Sequence, residues 1–370
     1  MRFTFDEDQL LAAQSLRDLL DDHCTGADLR RAAEAADGDE YRLACSTRRQ
    51  RLSELGLATA LVSEAQGGLG LKLTDIVLLA EEAGRAALPE PLIETLGVAL
   101  PLLAELAASD ERARAAFAAA MVDESVRVLW SDSSGILDAD HARFVVLGEG
   151  TQSLELHDIH AGESTAIKSV DPLRRLTRWQ SSNGSLIAVI NGAEAERAWQ
   201  LARARARVLA AGQLLGLAER MTSLAVAYAL DRKQFGKAIG VNQAVKHQLA
   251  NVQIKIEFAR PVIYAAAAAA ESTLVMDKAM RVQRDVRVAH AFVAACDASD
   301  LAARTAIQVH GAMGYSWELD LQFYAKRAWA LAGLHGGRSG CFRVLHEMLM
   351  TAGIEVGPDR VFDNPMPEGA

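Results

Sequence analysis

The chain has 370 residues, half of them hydrophobic, and a formal net charge of -9 at pH 7. This length can bury a large core and suffices for two or three folding units. The acidic balance argues against a nucleic-acid-binding protein, since such proteins normally carry a basic surface. No stretch of about 20 apolar residues lacks charge, so we expect no membrane span.

The cysteines and the start of the sequence indicate a reducing compartment. Residues Met1–Asp8 carry early acidic groups and lack the basic and apolar regions of a secretory signal. Neither a metal-binding spacing nor a disulfide framework connects the four cysteines, which are Cys24, Cys45, Cys296 and Cys341. Because reduced thiols are the simplest explanation, we expect a cytoplasmic protein. The histidines do not fall at metal-ligand spacings, so no metal site is predicted.

Helical periodicity dominates the first third of the chain. The segment Leu73–Gly84 is amphipathic, and Thr74 or Asp75 is a plausible N-terminal cap for it. A second helix is predicted over Leu92–Leu106. We therefore expect an N-terminal α-helical domain over residues 1–124.

The pattern changes between residues 125 and 192, where short β-rich runs are separated by Gly, Asp and Ser. The runs are Val126–Trp130, Arg143–Leu147, Ser153–His157 and Leu186–Ile190. Their spacing predicts antiparallel strands joined by turns. We therefore expect a short middle β domain over residues 125–192.

From residue 193 to residue 352 the periodicity is helical again and predicts a bundle of four long helices. Loops are expected near residues 231–242, 271–275 and 310–318. The last residues, 353–370, are rich in Pro and acidic groups and predict a poorly ordered end or a surface strap. The predicted fold class is therefore mostly α, with a small β domain between two helical ones.

One segment, Arg232-Lys-Gln-Phe-Gly236, interrupts the helical pattern with an aromatic residue, a glycine and two cations. An arginine can bind a pyrophosphate through its planar set of donors. An aromatic ring one turn away can lie against a base, and the glycine lets a backbone come close. The alternative is a helix–turn–helix junction with a solvated arginine.

A second segment, Gln308–Tyr315, ends a helix with an amide side chain and opens a loop with two glycines. Its donors could be presented to a phosphate-bearing cofactor, and the alternative is a helix C-terminus stopped by glycine. The sequence contains neither G-x-x-x-x-G-K-[ST] nor G-x-G-x-x-G. Ser339 has no nucleophile-elbow context, which removes hydrolase chemistry.

Together these two segments, the α–β–α order and the chain length resemble the acyl-CoA dehydrogenase family. The N-terminal stretch is similar as well, with Glu54–Leu57, a glycine loop at Gly67–Gly70 and an acidic helix at Glu81–Arg85. The resemblance covers most of the chain. It implies a flavoprotein with an N-terminal helical domain, a middle β domain and a C-terminal four-helix bundle. In this family the bundle of one subunit contacts the FAD held mostly by its neighbour.

The resemblance also implies a set of FAD contacts on the first segment. Arg232 would pair with the pyrophosphate, Gln234 would supply a polar contact, and Phe235 would lie near the adenine end. Ile239 and Asn242 fall where family members line that same end of the cofactor.

On the second segment, Gln308 and Gly311 match the amide and the close-approach glycine of the family. Ala312 stands where a second glycine is usual. The nearest match to the family's flavin-contacting loop in the β domain is Leu129–Gly135, which lacks the Glu-Pro pair. The β region is also shorter than the family usually shows. These departures fit a subunit that cannot hold its own flavin ring and substrate.

The carboxylate base of the family is missing from this sequence. Removal of an α-proton from an acyl-CoA thioester needs a poised carboxylate, which family members place in one of two positions. After the last bundle loop the match is Leu334–Gly337, with His335 in place of the base. About seven helical turns before Arg232, the match is Ala206. No catalytic residue is therefore predicted in this chain.

Three explanations remain open. In the favoured one, the chain is the non-catalytic partner of a catalytic acyl-CoA dehydrogenase subunit and gives Arg232, Phe235 and Gln308 to that partner's FAD. This arrangement resembles the α2β2 dehydrogenases of actinobacterial steroid side-chain degradation. The acyl-CoA would then bind at the partner's site, and the electrons would pass to an electron-transfer acceptor. A truncated β domain leaves room for a bulky ring system, which favours a steroid-CoA substrate.

The second explanation is a self-contained homo-oligomer in which His335 acts as the base, because imidazole can take a proton near neutral pH. Its difficulty is that the imidazole would end charged in an apolar pocket. The third explanation is a helical scaffold without a cofactor. Packing alone gives a helix bundle no reason to keep Arg232, Gln234 and Gln308 together.

Overall fold

The computed structural model describes residues 4–123, 126–132, 135–149, 153–271 and 278–351. Within these ranges the chain is mostly helical, with a small β region between two helical parts, as the sequence predicts. The limits of the domains given above stay predictions. The tail over residues 353–370 lies outside the described residues.

Seven helices form the N-terminal part in the described ranges. They are α1 (Glu7–His23), α2 (Gly26–Glu34), α3 (Gly38–Glu54), α4 (Leu73–Arg85), α5 (Leu92–Glu94), α6 (Leu100–Ser109) and α7 (Glu111–Val122). Four of them begin at a side chain that accepts a hydrogen bond from a first-turn N–H group. These N-caps are Asp6, Thr25, Asp37 and Asp110.

Helix α4 begins differently from the prediction. Its first residue is Leu73, which is fully buried, so Thr74 already lies inside the first turn. Lys72 occupies the cap position, and the Asp75 carboxylate accepts a hydrogen bond from the Lys72 N–H at 2.6 Å. Asp75 thus satisfies a backbone donor at the helix start from the third position of the helix, where acidic residues are favourable.

The helix predicted over Leu92–Leu106 contains a π-helical turn at Thr95–Ala99, between α5 and α6. The segment Leu92–Ser109 is long and apolar enough to cross a membrane by length and composition, but 67% of it is buried inside the fold. It packs into a core with α7, the β region and the start of the long helix that follows the β region. That burial is typical of a core helix in a folded domain.

The β region consists of two small sheets. The strands are β1 (Val128–Ser131), β2 (Ile136–Leu137), β3 (Phe144–Glu149), β4 (Ser153–Asp158), β5 (Glu163–Ile167), β6 (Leu176–Gln180) and β7 (Leu186–Asn191). The first sheet has the order β1-β3-β4-β7, and its four strands coincide with the four predicted runs. The second sheet, β2-β6-β5, was not predicted, because β5 is almost wholly exposed and β2 has only two residues.

One strand pair differs from the expected antiparallel arrangement. Strands β1 and β3 pair in parallel, from Val128 opposite Phe144 to Ser131 opposite Leu147. Between them the chain passes through β2 in the other sheet, so it returns to the end from which β1 started. Parallel pairing requires such a crossover connection. The pairs β3–β4 and β4–β7 are antiparallel, as predicted.

The C-terminal part is a bundle around one very long helix. Its elements are α8 (Ala193–Asp231), β8 (Lys233–Gln234), β9 (Lys237–Ala238), α9 (Gln243–Glu271), α10 (Lys278–His310), α11 (Leu321–Ala332) and α12 (Gly337–Thr351). Three helices are long, at 39, 29 and 33 residues, and the last two are short. The predicted fourth long helix is divided because His335, Gly336 and Gly337 all have positive φ.

Two of the three predicted bundle loops coincide with connections in the structure. One lies between α8 and α9 and the other between α10 and α11. The third, near residues 271–275, lies almost entirely outside the described residues.

Helix α8 is packed against α4 through backbone contact. A Cβ added to Gly216 would lie 1.9 Å from the Glu81 carbonyl oxygen, and one added to Gly84 would lie 2.0 Å from the Gln213 carbonyl oxygen. Only glycine permits this approach. Helices α9, α10 and α11 cover other sides of α8, and α1–α4 share a single hydrophobic core with the bundle.

Burial at this crossing changes the protonation of one carboxyl group. Glu81 of α4 pairs with Arg260 of α9 at 2.8 Å, while its Oε1 atom has no hydrogen-bond partner among the described residues. Desolvation outweighs the attraction of Arg260 and raises the pKa of Glu81 from 4.5 to about 7.

We expect Glu81→Gln to alter the pH dependence of stability. With a folded pKa above the unfolded one, the contribution of the neutral carboxyl group is fully present below pH 4.5 and is lost as the pH rises through about 7. The unfolding free energy of the variant relative to wild type should therefore increase between about pH 5 and pH 7.5, by at most about 3 kcal/mol. Urea denaturation at both pH values measures it. The exposed neighbour Glu257 supplies the control Glu257→Gln, and an equal increase there would contradict the assignment.

Candidate functional site

The connection between α8 and α9 is a tight hairpin that projects from the end of the bundle. Strands β8 and β9 pair antiparallel and are joined by Phe235 and Gly236, whose φ values are +51° and +80°. Two consecutive positive φ values are typical of a type I′ turn, in which an aromatic residue is unusual. The Phe235 side chain is 98% exposed. A large apolar ring is thus held in solvent by a strained backbone, which indicates contact with another molecule.

Backbone hydrogen bonds fix the base of this hairpin. The Arg232 N–H donates to the Tyr228 carbonyl at 2.8 Å, and the Ile239 N–H donates to the Arg232 carbonyl at 2.8 Å. The Asn242 carbonyl accepts from the N–H groups of Val245 and Lys246, both at 3.1 Å, and so starts α9. The fold therefore positions the backbone of Arg232 firmly at the C-terminal end of α8.

The side chains of this segment have few internal contacts. Arg232 and Gln234 are exposed, and neither side chain pairs with another residue in the part of the chain that the structure describes. Asn242 is exposed as well, whereas Ile239 is half-buried and packs against the bundle core. The donors of Arg232 and Gln234 are therefore available to a molecule outside the chain.

The second segment ends α10. Gln308 is exposed, and Gly311 has a φ of +61° with no atom within 4 Å of a Cβ at that position. The following 3-10 turn, Gly311–Tyr315, leaves Tyr315 81% exposed. Gly311 thus ends the helix in the left-handed conformation, as the sequence alternative of a glycine stop predicts. That role does not conflict with a polar contact from Gln308.

A ring stack connects the two segments. The His310 and Tyr228 rings lie 4.3 Å apart at 29°, and His310 Nδ1 hydrogen bonds to the Ala306 carbonyl at 2.7 Å. Tyr228 is one helical turn before Arg232, and His310 stands between Gln308 and Gly311. The structure therefore brings the two predicted segments to one end of the bundle.

The two positions where the family places its base also come together, at a different place in the fold. Ala206 of α8 and His335 line one narrow cavity with Trp130 and Glu94, and its volume of about 10 Å³ is roughly the room for one water molecule. His335 Nδ1 hydrogen bonds to the Asp132 carboxylate at 2.9 Å, and its ring stacks on Trp130 at 5.5 Å and 12°.

The His335 conformation is held from several sides. Its φ is +56°, which is uncommon outside glycine, and its carbonyl accepts hydrogen bonds from Arg207 Nε at 3.2 Å and Nη2 at 2.9 Å. Trp130 packs in turn on Trp199 of α8, with ring centroids 5.7 Å apart. The aromatic rings and His335 therefore fill the space beside Ala206.

Sequence reasoning missed several residues of these two regions. Tyr228 and His310 carry no local motif, since their pairing spans α8 and α10. Trp130 and Asp132 belong to Leu129–Gly135, where the sequence shows only that the family's Glu-Pro pair is absent. Glu94 places a carboxylate in the cavity, but Arg174 lies 3.6 Å from it and balances its charge. The proximity of Glu94 to this part of α8 depends on how the two helices are rotated against each other, which a single sequence does not show.

We expect His310→Ala to destabilise the chain, because it removes both the stack on Tyr228 and a buried hydrogen bond. The loss should be about 1–3 kcal/mol in unfolding free energy, measured by urea denaturation. Gln308→Ala, two residues earlier and exposed, is the matched control and should change stability by less than about 0.5 kcal/mol. Equal losses in the two variants would show that His310 does not connect the segments.

Two family comparisons cover most of the chain. Residues 6–123 match the acyl-CoA dehydrogenase N-terminal domain, and residues 197–339 match the acyl-CoA dehydrogenase C-terminal domain. The acyl-CoA dehydrogenase IpdE2 of Mycobacterium tuberculosis is 32% identical over 331 residues, which are 89% of this chain and 93% of that protein.

Solved structures share the fold at lower sequence identity. A chain of the ChsE4-ChsE5 complex from Mycobacterium tuberculosis has a TM-score of 0.79 at 19% identity, covering 96% of this chain and 100% of that one. A variant of the Tcur3481-Tcur3483 steroid ACAD has a TM-score of 0.75 at 22% identity, covering 93% of this chain and 98% of that one. From the two domain matches and the IpdE2 similarity, the chain belongs to the acyl-CoA dehydrogenase family.

Proposed function

We propose that this chain is a subunit of an FAD-dependent acyl-CoA dehydrogenase and contacts the adenine and pyrophosphate end of an FAD held by a catalytic partner subunit. Its own contacts would be Arg232, Gln234, Phe235, Ile239, Asn242, Gln308 and Gly311. The chain itself would contribute no base. The reaction is α,β-dehydrogenation of an acyl-CoA thioester, and it would occur in the partner.

The observation that carries this proposal is the distance along α8 between Ala206, where the family places its base, and the hairpin that begins at Arg232. Ala206 faces the filled cavity. Arg232 is 26 positions further along the chain and directly follows the last residue of the same helix. At 1.5 Å per residue this separates them by about 39 Å. A single dinucleotide cannot bridge that distance. We therefore expect the residues around Ala206 and those that follow α8 to act on different molecules, so that the hairpin can contact a cofactor in a neighbouring subunit.

The hairpin end fits the phosphate-bearing part of a dinucleotide. Arg232 offers a guanidinium with no internal ion pair in the described ranges, and Gln234 and Gln308 offer amide donors. Phe235 offers an exposed ring that can lie against a base. Bound FAD would accept the electrons of the dehydrogenation, while these side chains would only hold and orient its distal end.

The cavity beside His335 does not fit a flavin ring with an acyl thioester next to it. Trp130 and His335 are stacked against each other, and Asp132 and Arg207 hold His335 by its ring and its carbonyl. A ring system would have to displace this cluster. The same packing disfavours His335 as a base in a self-contained homo-oligomer, because the ring that would take the proton is stacked on Trp130 and hydrogen bonded to Asp132.

A surface around the hairpin would meet the partner. Exposed apolar side chains continue along α8 and α9 on either side of the turn, namely Val226, Leu230, Phe235, Ile254 and Phe258. Single exposed apolar residues are normal on a protein surface, but several of them on neighbouring elements are typical of an interaction surface. The exposed polar side chains of Arg232, Gln234 and Gln308 argue against a cofactor-free scaffold, because packing alone gives no reason to keep them together. Two structural neighbours, the ChsE4-ChsE5 complex and the Tcur3481-Tcur3483 steroid ACAD, each carry two protein names, which supports an assembly of two different subunits. We propose that this assembly is an α2β2 heterotetramer.

We propose a steroid-CoA ester as the acyl-CoA, bound at the partner's site. One structural neighbour is described as a steroid ACAD. The electrons would then leave the partner's FAD for an electron-transfer acceptor, and the assembly would work in the cytoplasm. Lipid or steroid degradation is the corresponding process.

Purification with and without a partner tests the proposal. The chain alone should carry no stoichiometric FAD and should have no acyl-CoA dehydrogenase activity. Co-expression with an acyl-CoA dehydrogenase encoded beside it should give a yellow complex that oxidises an acyl-CoA. Full flavin content and turnover in the isolated chain would refute the role of a non-catalytic subunit.

Arg232→Ala should weaken FAD retention in the complex by about 1.5–3 kcal/mol, the usual contribution of a charge-assisted hydrogen bond. Flavin release on dilution, followed by fluorescence, measures it. Lys237→Ala is the matched control, because Lys237 is another exposed cation of the same hairpin. Equal flavin retention in the wild-type complex and in the Arg232→Ala complex would show that Arg232 only shapes the hairpin.

A further inference from the structure

A second cavity, which we call the α3–β1 groove, lies between α3, α5, α6, α7 and β1. Its cavity volume is about 350 Å³, which is within the range of small-molecule pockets. It touches neither Trp130, His335 nor Ala206, although Pro91 lines both it and the cleft beside Trp130. The groove is therefore separate from the filled cavity and lies in a different part of the fold from the hairpin.

The walls of the groove are mainly apolar. The main contributors are Leu52, Pro91, Leu92, Leu100, Ala120 and Val128. Several of these side chains are buried against the helices behind them, so the surface they present is fixed by packing. A hydrocarbon skeleton placed along this wall would lose water contact on most of its surface, which favours its binding.

One end of the groove carries a net positive charge. Arg49, Arg127 and Glu90 line it, and Arg48 pairs with that glutamate from behind. Arg48 pairs with Glu90 at 2.8 Å, and Arg49 pairs with Asp138 at 2.8 Å. Arg127 is only 3.7 Å from that same Asp138 carboxylate, beyond hydrogen-bonding distance. In the part of the chain that the structure describes, three guanidinium groups thus share two buried carboxylates.

The internal pairing at this end is incomplete. Arg49 Nε and Glu90 Oε1 are both buried without a hydrogen-bond partner among the described residues, and they lie 3.8 Å apart. The Arg49 side chain is only 9% exposed. Burial and the neighbouring Arg49 lower the pKa of Arg127. A partly buried cation with a like charge beside it is stabilised when an anion binds.

We propose that the α3–β1 groove binds an amphipathic carboxylate, with its carboxylate on Arg127 beside Arg49 and its apolar skeleton along Leu52, Leu92 and Leu100. A guanidinium matches a carboxylate through two parallel hydrogen bonds, and one excess cation matches one negative charge. A ligand with several phosphates would need more donors than this end of the groove offers. The apolar skeleton is either the chain of a linear fatty acid or the ring system of a fused-ring acid, and the relative affinities of the two classes distinguish them.

Isothermal titration calorimetry of the full chain with decanoate and with deoxycholate, each below its micelle concentration, tests the site. At least one of the two should bind saturably at one site, and the tighter one identifies the skeleton as linear or fused-ring. The neutral 1-decanol should bind at least about tenfold more weakly than decanoate. Absence of saturable binding by both carboxylates would overturn the proposal, and so would equal affinity for decanoate and 1-decanol.

Matched variants locate the binding. Arg127→Gln should lower carboxylate affinity at least about tenfold, and Arg127→Lys should restore part of it. Arg112→Gln, at an exposed position of α7 outside the groove, is the control with the same charge change and should bind as wild type. Ala120→Trp should block the groove and abolish binding without removing a charge.

Unchanged affinity in a folded Arg127→Gln variant would overturn the assignment of the carboxylate. If that variant does not fold, as judged by its thermal unfolding, unchanged affinity in Ala120→Trp would overturn the site itself. The isolated chain is used without flavin. Failure here therefore leaves the flavin role of the hairpin intact, and failure of the flavin experiments leaves this groove intact.

Discussion

Direct backbone contact between α4 and α8 is the constraint on which the other parts of the molecule depend. At Gly84 and Gly216 the two helices approach so closely that any side chain would meet a main-chain carbonyl. This contact fixes the rotation of α8 about its own axis. With that rotation set, Ala206 must face α5 and β1, and the C-terminal end of α8 must carry the hairpin away from the β region. It also encloses Glu81, whose carboxyl group is left with an incomplete set of partners.

The region around Ala206 and the C-terminal end of α8 differ in how their polar groups are satisfied. Near Ala206, His335 is bound through its ring by Asp132 and through its carbonyl by Arg207, and its other face is covered by Trp130. At the C-terminal end, Arg232 and Gln234 extend into solvent next to an exposed Phe235. The polar groups near Ala206 are thus paired within the chain, whereas the donors and the apolar ring of the hairpin are exposed. This contrast is the physical basis for treating the chain as one part of an assembly.

Much of the fold follows from local pattern. The four strands of the first sheet coincide with runs of β-branched and aromatic residues because each run has a buried face, and the long helices follow from their apolar stripes. The second sheet gave no comparable signal, since β5 is exposed and β2 is very short. The parallel pairing of β1 and β3 depends on a crossover through that sheet, so it was equally hidden. The division of the last long helix depends on positive φ at His335, which sequence pattern does not show for a non-glycine residue.

For the site, the sequence by itself determined which residue types are present and how they are spaced. Arg232 to Gly236 and Gln308 to Gly314 are readable from the chain and point to the acyl-CoA dehydrogenase family. The lack of a carboxylate at Ala206 and His335 is equally readable and is a departure from that family's pattern. Only the tertiary structure decided that Tyr228 stacks on His310 and so joins the two segments, and that Trp130 and His335 fill the space beside Ala206. It also decided that Arg49 and Arg127, far apart in sequence, meet at the end of one apolar groove. These contacts connect residues tens to hundreds of positions apart, and their distances follow from helix packing, which local sequence does not encode.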